Sequence, residues 1–191
     1  MPATKDSIIV LPNPHLRQKS KRIAIVTDEV KQVIKDMIDA TIDWEATREH
    51  EVGVALAAVQ VDKLYKIIIV REDFEHKDNK DFKVFINPEI TKLEGEIEED
   101  YEGCLSVTDI YGKVPRNNKI RVRAMNQAGQ VVRVKAEGFL ARVFQHEIDH
   151  INGKVFVDHL KDHKDAFYKL TDEGKLEPVA YEQIQKTGIL R

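Results

Sequence analysis

The chain has 191 residues, 30 Lys plus Arg against 33 Asp plus Glu, and a formal net charge of −3. A hydrophobic share of 42% with only 9 Gly and 6 Pro describes an ordinary globular protein and excludes a disordered or collagen-like chain. The balanced charge argues against nucleic acid or an anionic membrane as principal partner, and the single cysteine, Cys104, cannot form an internal disulfide.

At the start, the apolar run Ile8 to Leu11 is stopped by Pro12, too short for a signal-peptide core, and no stretch approaches the roughly 20 apolar residues of a membrane span. The expected location is the cytoplasm, which suits a free thiol. From Asp28 to about Thr47, Val30, Val33, Ile34, Met37, Ile38 and Ile42 fall on one helical face, with Thr27 as N-cap. Short β-like runs follow at Val54 to Gln60, Tyr65 to Arg71, Lys83 to Ile86 before an Asn87-Pro88 turn, and Ile90 to Ile97. Lys119 to Met125 and Gln130 to Ala136 alternate apolar and basic residues about Asn126 to Gly129, the signature of a hairpin with one buried face. Gly138 opens a second helix that ends at Asn152-Gly153. Val155 to Val157 reads as a strand and Tyr181 to Lys186 as a weak helix. Strands with a few separate helices, lacking β-α alternation, give an α+β class: short, mostly antiparallel sheets around a central helix, with an N-terminal and a C-terminal helix.

Two charge runs stand out. Glu94 to Glu102 holds six acids, and Lys113 to Lys135 holds seven bases and no acid. The bases alternate with apolar residues, as on any solvated sheet face, so an RNA surface is not favoured. From Lys161 to Arg191, six bases balance six acids.

The second helix carries the chemistry. His146 and His150 are i and i+4, one turn apart on one face, with Glu147 beside them: the H-E-x-x-H arrangement, whose Glu acts as general base to a metal-bound water. A catalytic site of this kind needs a third protein ligand. The position where one protease family places a third His is Phe156, which cannot bind a metal. Glu173, Glu177 and Glu182 are candidates without a second motif around them. Cys104, inside Glu102-Gly103-Cys104-Leu105-Ser106, is the stronger one as a soft thiolate donor. Upstream, Gly53-Val54-Ala55-Leu56-Ala57-Ala58-Val59-Gln60 reads either as a tightly packed strand or as a cleft wall whose Gln60 donates to an oxyanion.

Together, these three segments resemble the peptide deformylase family, whose motifs are G-x-G-L-A-A-x-Q, E-G-C-L-S and Q-H-E-x-D-H in this order. The second and third match completely and the first at all but Ala55, and the resemblance runs from about Ile8 to Leu160, taking in Val114-Pro115-Arg116. It implies a single catalytic domain over 1–191, with 161–191 a C-terminal helical appendage. It also implies one divalent metal per chain on Cys104, His146 and His150, usually Fe2+ and replaceable by Zn2+, Ni2+ or Co2+. Glu147 would be the acid/base, with Gln60 and the backbone N–H of Leu105 as oxyanion donors. Gly53, Val54, Ala55, Glu102, Gly103, Arg116, Phe139 and Val143 would contact substrate, Phe139 and Val143 forming an apolar side pocket. Arg142 is expected to send its charge to solvent. The implied partners are N-formylmethionyl nascent peptides and, by family analogy, the ribosome, with no membrane and no direct DNA contact. An H-E-x-x-H metalloprotease, or a deformylase-like protein with altered activity because of Ala55, stands as the alternative. Strand-like neighbours predict that Ala55 adopts a β conformation, where the extra methyl is tolerated.

Overall fold

The computed structural model describes residues 2–190 apart from 75 and 77. Helix α1 spans Asp28–Glu45, with the Thr27 hydroxyl accepting from the Val30 N–H. Strands β1 (Ala55–Ala57), β2 (Ile67–Arg71), β3 (Phe82–Cys104), β4 (Val107–Met125) and β5 (Val131–Glu137) precede helix α2 (Gly138–Ile151). Strands β6 (Phe167–Leu170) and β7 (Leu176–Pro178) and helix α3 (Tyr181–Lys186) follow. The strands form one seven-stranded sheet in the order β1-β2-β3-β4-β6-β7, with every pair antiparallel. Strand β4 gives one edge to β3 and divides the other between β6 at 110–112 and β5 at 119–125.

Strands β1 and β2 and the start of β3 are covered on both faces, which is why Ile67–Val70 is a continuous rather than alternating apolar run. Leu56, Ile67, Ile69 and Ile86 pack with Val33, Ile34 and Met37 of α1. Ala55, Ala57, Ile68 and Val70, on the opposite face, pack with Phe144, Ile148 and Ile151 of α2. A third cluster joins Val107, Val114 and Phe156 to Phe167 and Ile184 from the C-terminal segment. Helix α2 is thereby pressed against the sheet with Glu147 and His150 buried and His146 partly so.

The α+β, antiparallel class is as expected, but several elements differ in detail. The predicted short strands 83–86 and 90–97 are parts of one strand of 23 residues. Asn87-Pro88 is a register shift within it, where Asn87 has φ +52 and its side-chain amide bonds both the N–H and the carbonyl of Ile23. Only Ala55–Ala57 of the predicted 54–60 strand is extended; Ala58–Val61 turns as a 3-10 helix. Phe156–His159 is likewise a 3-10 turn, not a strand, because the Asp158 carboxylate accepts from the Val155 N–H. The segment expected to be a helical appendage contributes two strands to the sheet and a helix of six residues.

The acidic and basic runs meet as neighbours in the β3–β4 ladder, with Glu94 opposite Lys119 and Glu98 opposite Arg116. Arg121 also pairs with Glu94 at 2.7 Å. The basic run is thus partly neutralised by its own strand partner. Among the described residues, no helix is long and apolar enough to cross a membrane.

Candidate metal centre

Helix periodicity brings His146 and His150 edge to face, their ring centroids 4.9 Å apart and their Nε2 atoms 3.2 Å apart. Strand β3 delivers Cys104 as its last residue, beside the Leu105-Ser106 connection to β4, and its Sγ lies 3.2 Å from His150 Nε2. The three donor atoms lie within 4.8 Å of one another. Ligand distances of about 2.0–2.3 Å at a tetrahedral angle place neighbouring donors about 3.3–3.6 Å apart, so this spacing fits one small divalent cation. A thiolate and two imidazoles are also the donor types that iron(II) and zinc accept.

Glu102 organises the ring that faces this centre. Its Oε2 accepts from His146 Nδ1 at 2.9 Å, which makes Nε2 the nitrogen that would face a bound cation once its proton is displaced. Arg116 donates to both carboxylate oxygens, at 2.9 and 3.1 Å, and Arg142 donates to Oε1 at 2.9 Å. Arg116 also reaches Asp149 at 2.6 Å, and Asp149 in turn meets His159 at 2.7 Å. Burial alone would raise the Glu102 carboxyl, but the hydrogen bonds from His146 and Arg116 outweigh it and hold Glu102 well below the usual carboxylate range.

Burial would lower His146, but its bonds to Cys104 and Glu102 carry it well above an ordinary histidine. Burial and the neighbouring His146 push His150 well below, leaving it neutral and able to donate its electron pair. Glu147 is pushed up to about 7 by burial against the opposing pull of His146. Its Oε2 and the Nδ1 of His150 are buried with no hydrogen-bond partner among the described residues. An orphaned carboxylate oxygen beside a donor triad fits a centre built for a guest.

Beside the donors is a cleft of about 300 Å³. Of the residues predicted to contact substrate or oxyanion, it is lined by Val54, Ala55, Gln60, Glu102, Gly103, Leu105, Phe139 and Val143. Gln60 is fixed within it: Oε1 accepts from the Ala57 N–H at 2.8 Å, while Nε2 donates to Ser106 Oγ at 3.1 Å and lies 3.5 Å from Cys104 Sγ. Gly103 allows the Tyr111 ring to close over the backbone, since a Cβ there would lie 2.5 Å from the ring. Ala55 pairs with Val70 in β1 and is not among the residues of positive φ, so the β conformation predicted for it is the one observed.

Three assignments need correction. Gly53 and Arg116 are outside the cleft lining. The Gly53 N–H donates to Glu45 behind the wall, and Arg116 is spent on Glu102 and Asp149. Arg142, expected to face solvent, is buried: besides Glu102 it donates to the carbonyls of Glu98, Asp100 and Val114. Glu102 borders the cleft but spends its oxygens on His146 and the two arginines.

Trp44, Tyr101, Tyr111 and residues 50–52, which carry no motif, complete the lining together with Arg142 and the donors Cys104 and His146. The one available signal was Trp44, the chain's only tryptophan, at the end of an amphipathic helix. The alternative carboxylate ligands lie elsewhere: Glu173 pairs with Lys175, and Glu177 is on β7 opposite Lys169. Phe156, at the protease position for a third His, stacks on the His146 ring. A larger apolar cavity of about 700 Å³, against Phe85, Leu140 and Phe144, contains none of the three donors.

An antiparallel α+β sheet that brings a strand-borne thiol to a helix-borne H-E-x-x-H pair has the donor set of a protein able to hold one metal ion with a soft third ligand. The family model for polypeptide deformylase matches residues 5–166, and the chain belongs to the peptide deformylase family. A peptide deformylase of Psychrobacter arcticus is 44% identical over 153 residues, covering 80% of this chain and 78% of that one. One of Thermomicrobium roseum is 41% identical over 165 residues, 85% and 89% of the two chains. The crystal structure of a peptide deformylase from Synechococcus elongatus in complex with actinonin has TM-score 0.73 at 33% identity, covering 82% of this chain and 80% of that one.

Proposed function

We propose that this chain is a metal-dependent hydrolase that removes the N-formyl group from the N-terminal methionine of newly synthesised peptides, releasing formate. The observation that carries the reading is the convergence of Cys104, His146 and His150 beside the buried Glu147 in a chain of this family. The metal is one divalent cation per chain, Fe2+ in the first instance, with Zn2+, Ni2+ or Co2+ able to replace it. When bound, it supplies Lewis acidity that lowers the pKa of water toward about 7 and polarises a carbonyl.

The residues do the rest. Glu147 takes a proton from the attacking water and gives it to the departing amine, which otherwise leaves poorly. Burial raises its carboxyl to about 7 in the metal-free protein, the direction suited to a group that must both take and return a proton. Gln60 and the backbone N–H of Leu105 hold the carbonyl oxygen as it gains charge, each donor supplying roughly 2.7–4 kcal/mol in comparable sites. Val143 and Phe139 border the space for the methionine side chain, and Glu102 keeps the His146 ring in register.

The test is formate release from a formyl-Met peptide by iron-loaded protein. Glu147→Ala is expected to keep the metal and lower kcat by about 10²–10⁴. Cys104→Ala is expected to lose metal and activity together. Near-wild-type turnover in Glu147→Ala, or full metal content in Cys104→Ala, overturns these assignments.

A further inference from the structure

The family match ends at residue 166, and β6 begins at Phe167. The β6–β7 hairpin is therefore an addition to the matched region; none of its residues lines the cleft, yet it touches two that do, Tyr101 and His50. Tyr168 stands opposite Tyr111 in the ladder, so both side chains share one sheet face. On that face the Tyr168 ring meets Tyr101 edge-on, with centroids 4.9 Å apart. Lys113, opposite Tyr101 in the β3–β4 ladder, places its Nζ 5.1 Å from the Tyr101 ring and 5.9 Å from that of Tyr168. Tyr101 lines the cleft while staying 36% exposed, as a rim residue does.

At its other end the hairpin turns at Gly174, φ +74, where a Cβ would lie 2.9 Å from the ring of His50. His50 belongs to the loop that supplies Glu51 and Val52 to the cleft. That loop is tied to the same face: Tyr111 donates to Glu51 at 2.7 Å, and Arg48 pairs with Asp109 at 2.9 Å.

The cleft, at about 300 Å³, lies at the small end of ligand sites. It takes the formylated residue and little beyond it, so the following residues of a peptide must cross the rim. We infer that the β6–β7 hairpin is the outer wall of the peptide-binding cleft, holding Tyr101 through Tyr168 and His50 through the Gly174 turn. In that role it sets affinity for an apolar residue downstream of the formylated methionine. The inference rests on the proposed deformylase activity. Tyr168 acts through Tyr101 and is a positioning residue.

The experiment compares formyl-Met-Ala with formyl-Met-Ala-Phe on iron-loaded protein. Tyr168→Ala is expected to raise KM for the longer peptide about fivefold, with KM for the shorter one, and kcat for both, within about twofold of wild type. Tyr168→Phe, which keeps the ring, restores the wild-type KM. Gly174→Ala, which pushes on His50 from the other end, is expected to act in the same direction and serves if Tyr168→Ala lowers the folded yield. Equal KM values for all variants overturn the inference, as does a fall in kcat and metal content on both substrates alike.

A wild-type protein that releases no formate sinks the proposed activity instead. The wall is then read through fluorescence of Trp44, the sole tryptophan, on binding Met-Ala or Met-Ala-Phe. Tyr168→Ala should weaken only the longer peptide, and unchanged binding of both sinks the wall.

Discussion

Two buried carboxylate–arginine clusters stand behind the cleft, and they use the same chemistry for different ends. In the first, Glu45 accepts from Arg71 at 2.7 Å and from the Gly53 N–H at 2.9 Å, while Arg71 Nε donates to the Gly53 carbonyl at 3.1 Å. In the second, Glu102 accepts from Arg116, Arg142 and His146. All these acid and arginine side chains are 8% exposed or less. The first cluster ends on a peptide group and so fixes where strand β1 begins. The second ends on a ring nitrogen and so fixes how a donor is aimed. A buried ion pair is poor evidence of net stabilisation by itself. What distinguishes these two is the group at the end of the chain of bonds.

The largest effect that could break this contrast comes from deleting each acid. Glu45→Ala and Glu102→Ala are each expected to cost about 3–5 kcal/mol in urea unfolding of the metal-free protein, because each removes a carboxylate to which a buried arginine donates. Only Glu102→Ala should also weaken the metal, by about 10–100-fold in a chelator competition. A loss of affinity in both variants would erase the distinction.

A smaller effect is the pH dependence of Glu102. Its folded carboxyl is held below the ordinary value of 4.5, so its contribution to stability is complete above that value. As the pH falls below 4.5, the unfolded chain takes up its proton first, and the contribution shrinks until the folded carboxyl titrates too. In metal-free protein, the stability gap between wild type and Glu102→Gln is therefore expected to grow from about pH 7 to about pH 5, as the unfolded chain protonates His146, which Glu102 holds above an ordinary histidine, and to narrow below about pH 4.5. A gap that goes on widening below about pH 4.5 would contradict the assignment.

The smallest effect is at the wall itself. If the Glu45–Arg71 clamp sets the geometry of β1, the methyl of Ala55 is a spectator. Ala55→Gly should then cost about 0.5–1 kcal/mol of stability and leave kcat/KM within about twofold. A large gain in turnover would mean that the methyl obstructs the substrate.

What could be read from the sequence follows from how local each feature is. The histidine pair was legible because i and i+4 positions of a helix meet whatever the rest of the chain does, and α1 because its apolar face repeats over 18 residues. Cys104 became legible as a ligand only in the company of that helix. Arg142 was misread because its partners, Glu102 and the carbonyls of Glu98, Asp100 and Val114, arrive from strands with no helical register to it. Gly53 and Arg116 were assigned to the substrate because a motif lists residues without saying which face they present. The β6–β7 hairpin was missed because Leu176-Glu177-Pro178 has no apolar alternation, and its pairing depends on the free edge at Ile110–Gly112. Asn87-Pro88 looked like a turn because nothing nearby in sequence predicts that Ile23 will engage the Asn87 amide.

Cys104 sits at the hinge between the two longest strands, while His146 and His150 sit on the helix that follows β5. A cation held by all three therefore acts as a clasp that closes the stretch from Cys104 to His146 into a loop in every conformation that keeps it bound. Such a closure removes freedom from the opened chain, as a crosslink does, and ligand held only by the folded form adds protection in proportion to its concentration over Kd. Stripping the metal should then free the β4–β5 arm for proteolysis before α1 is cut, with the one thiol of the chain acting as the catch of the clasp.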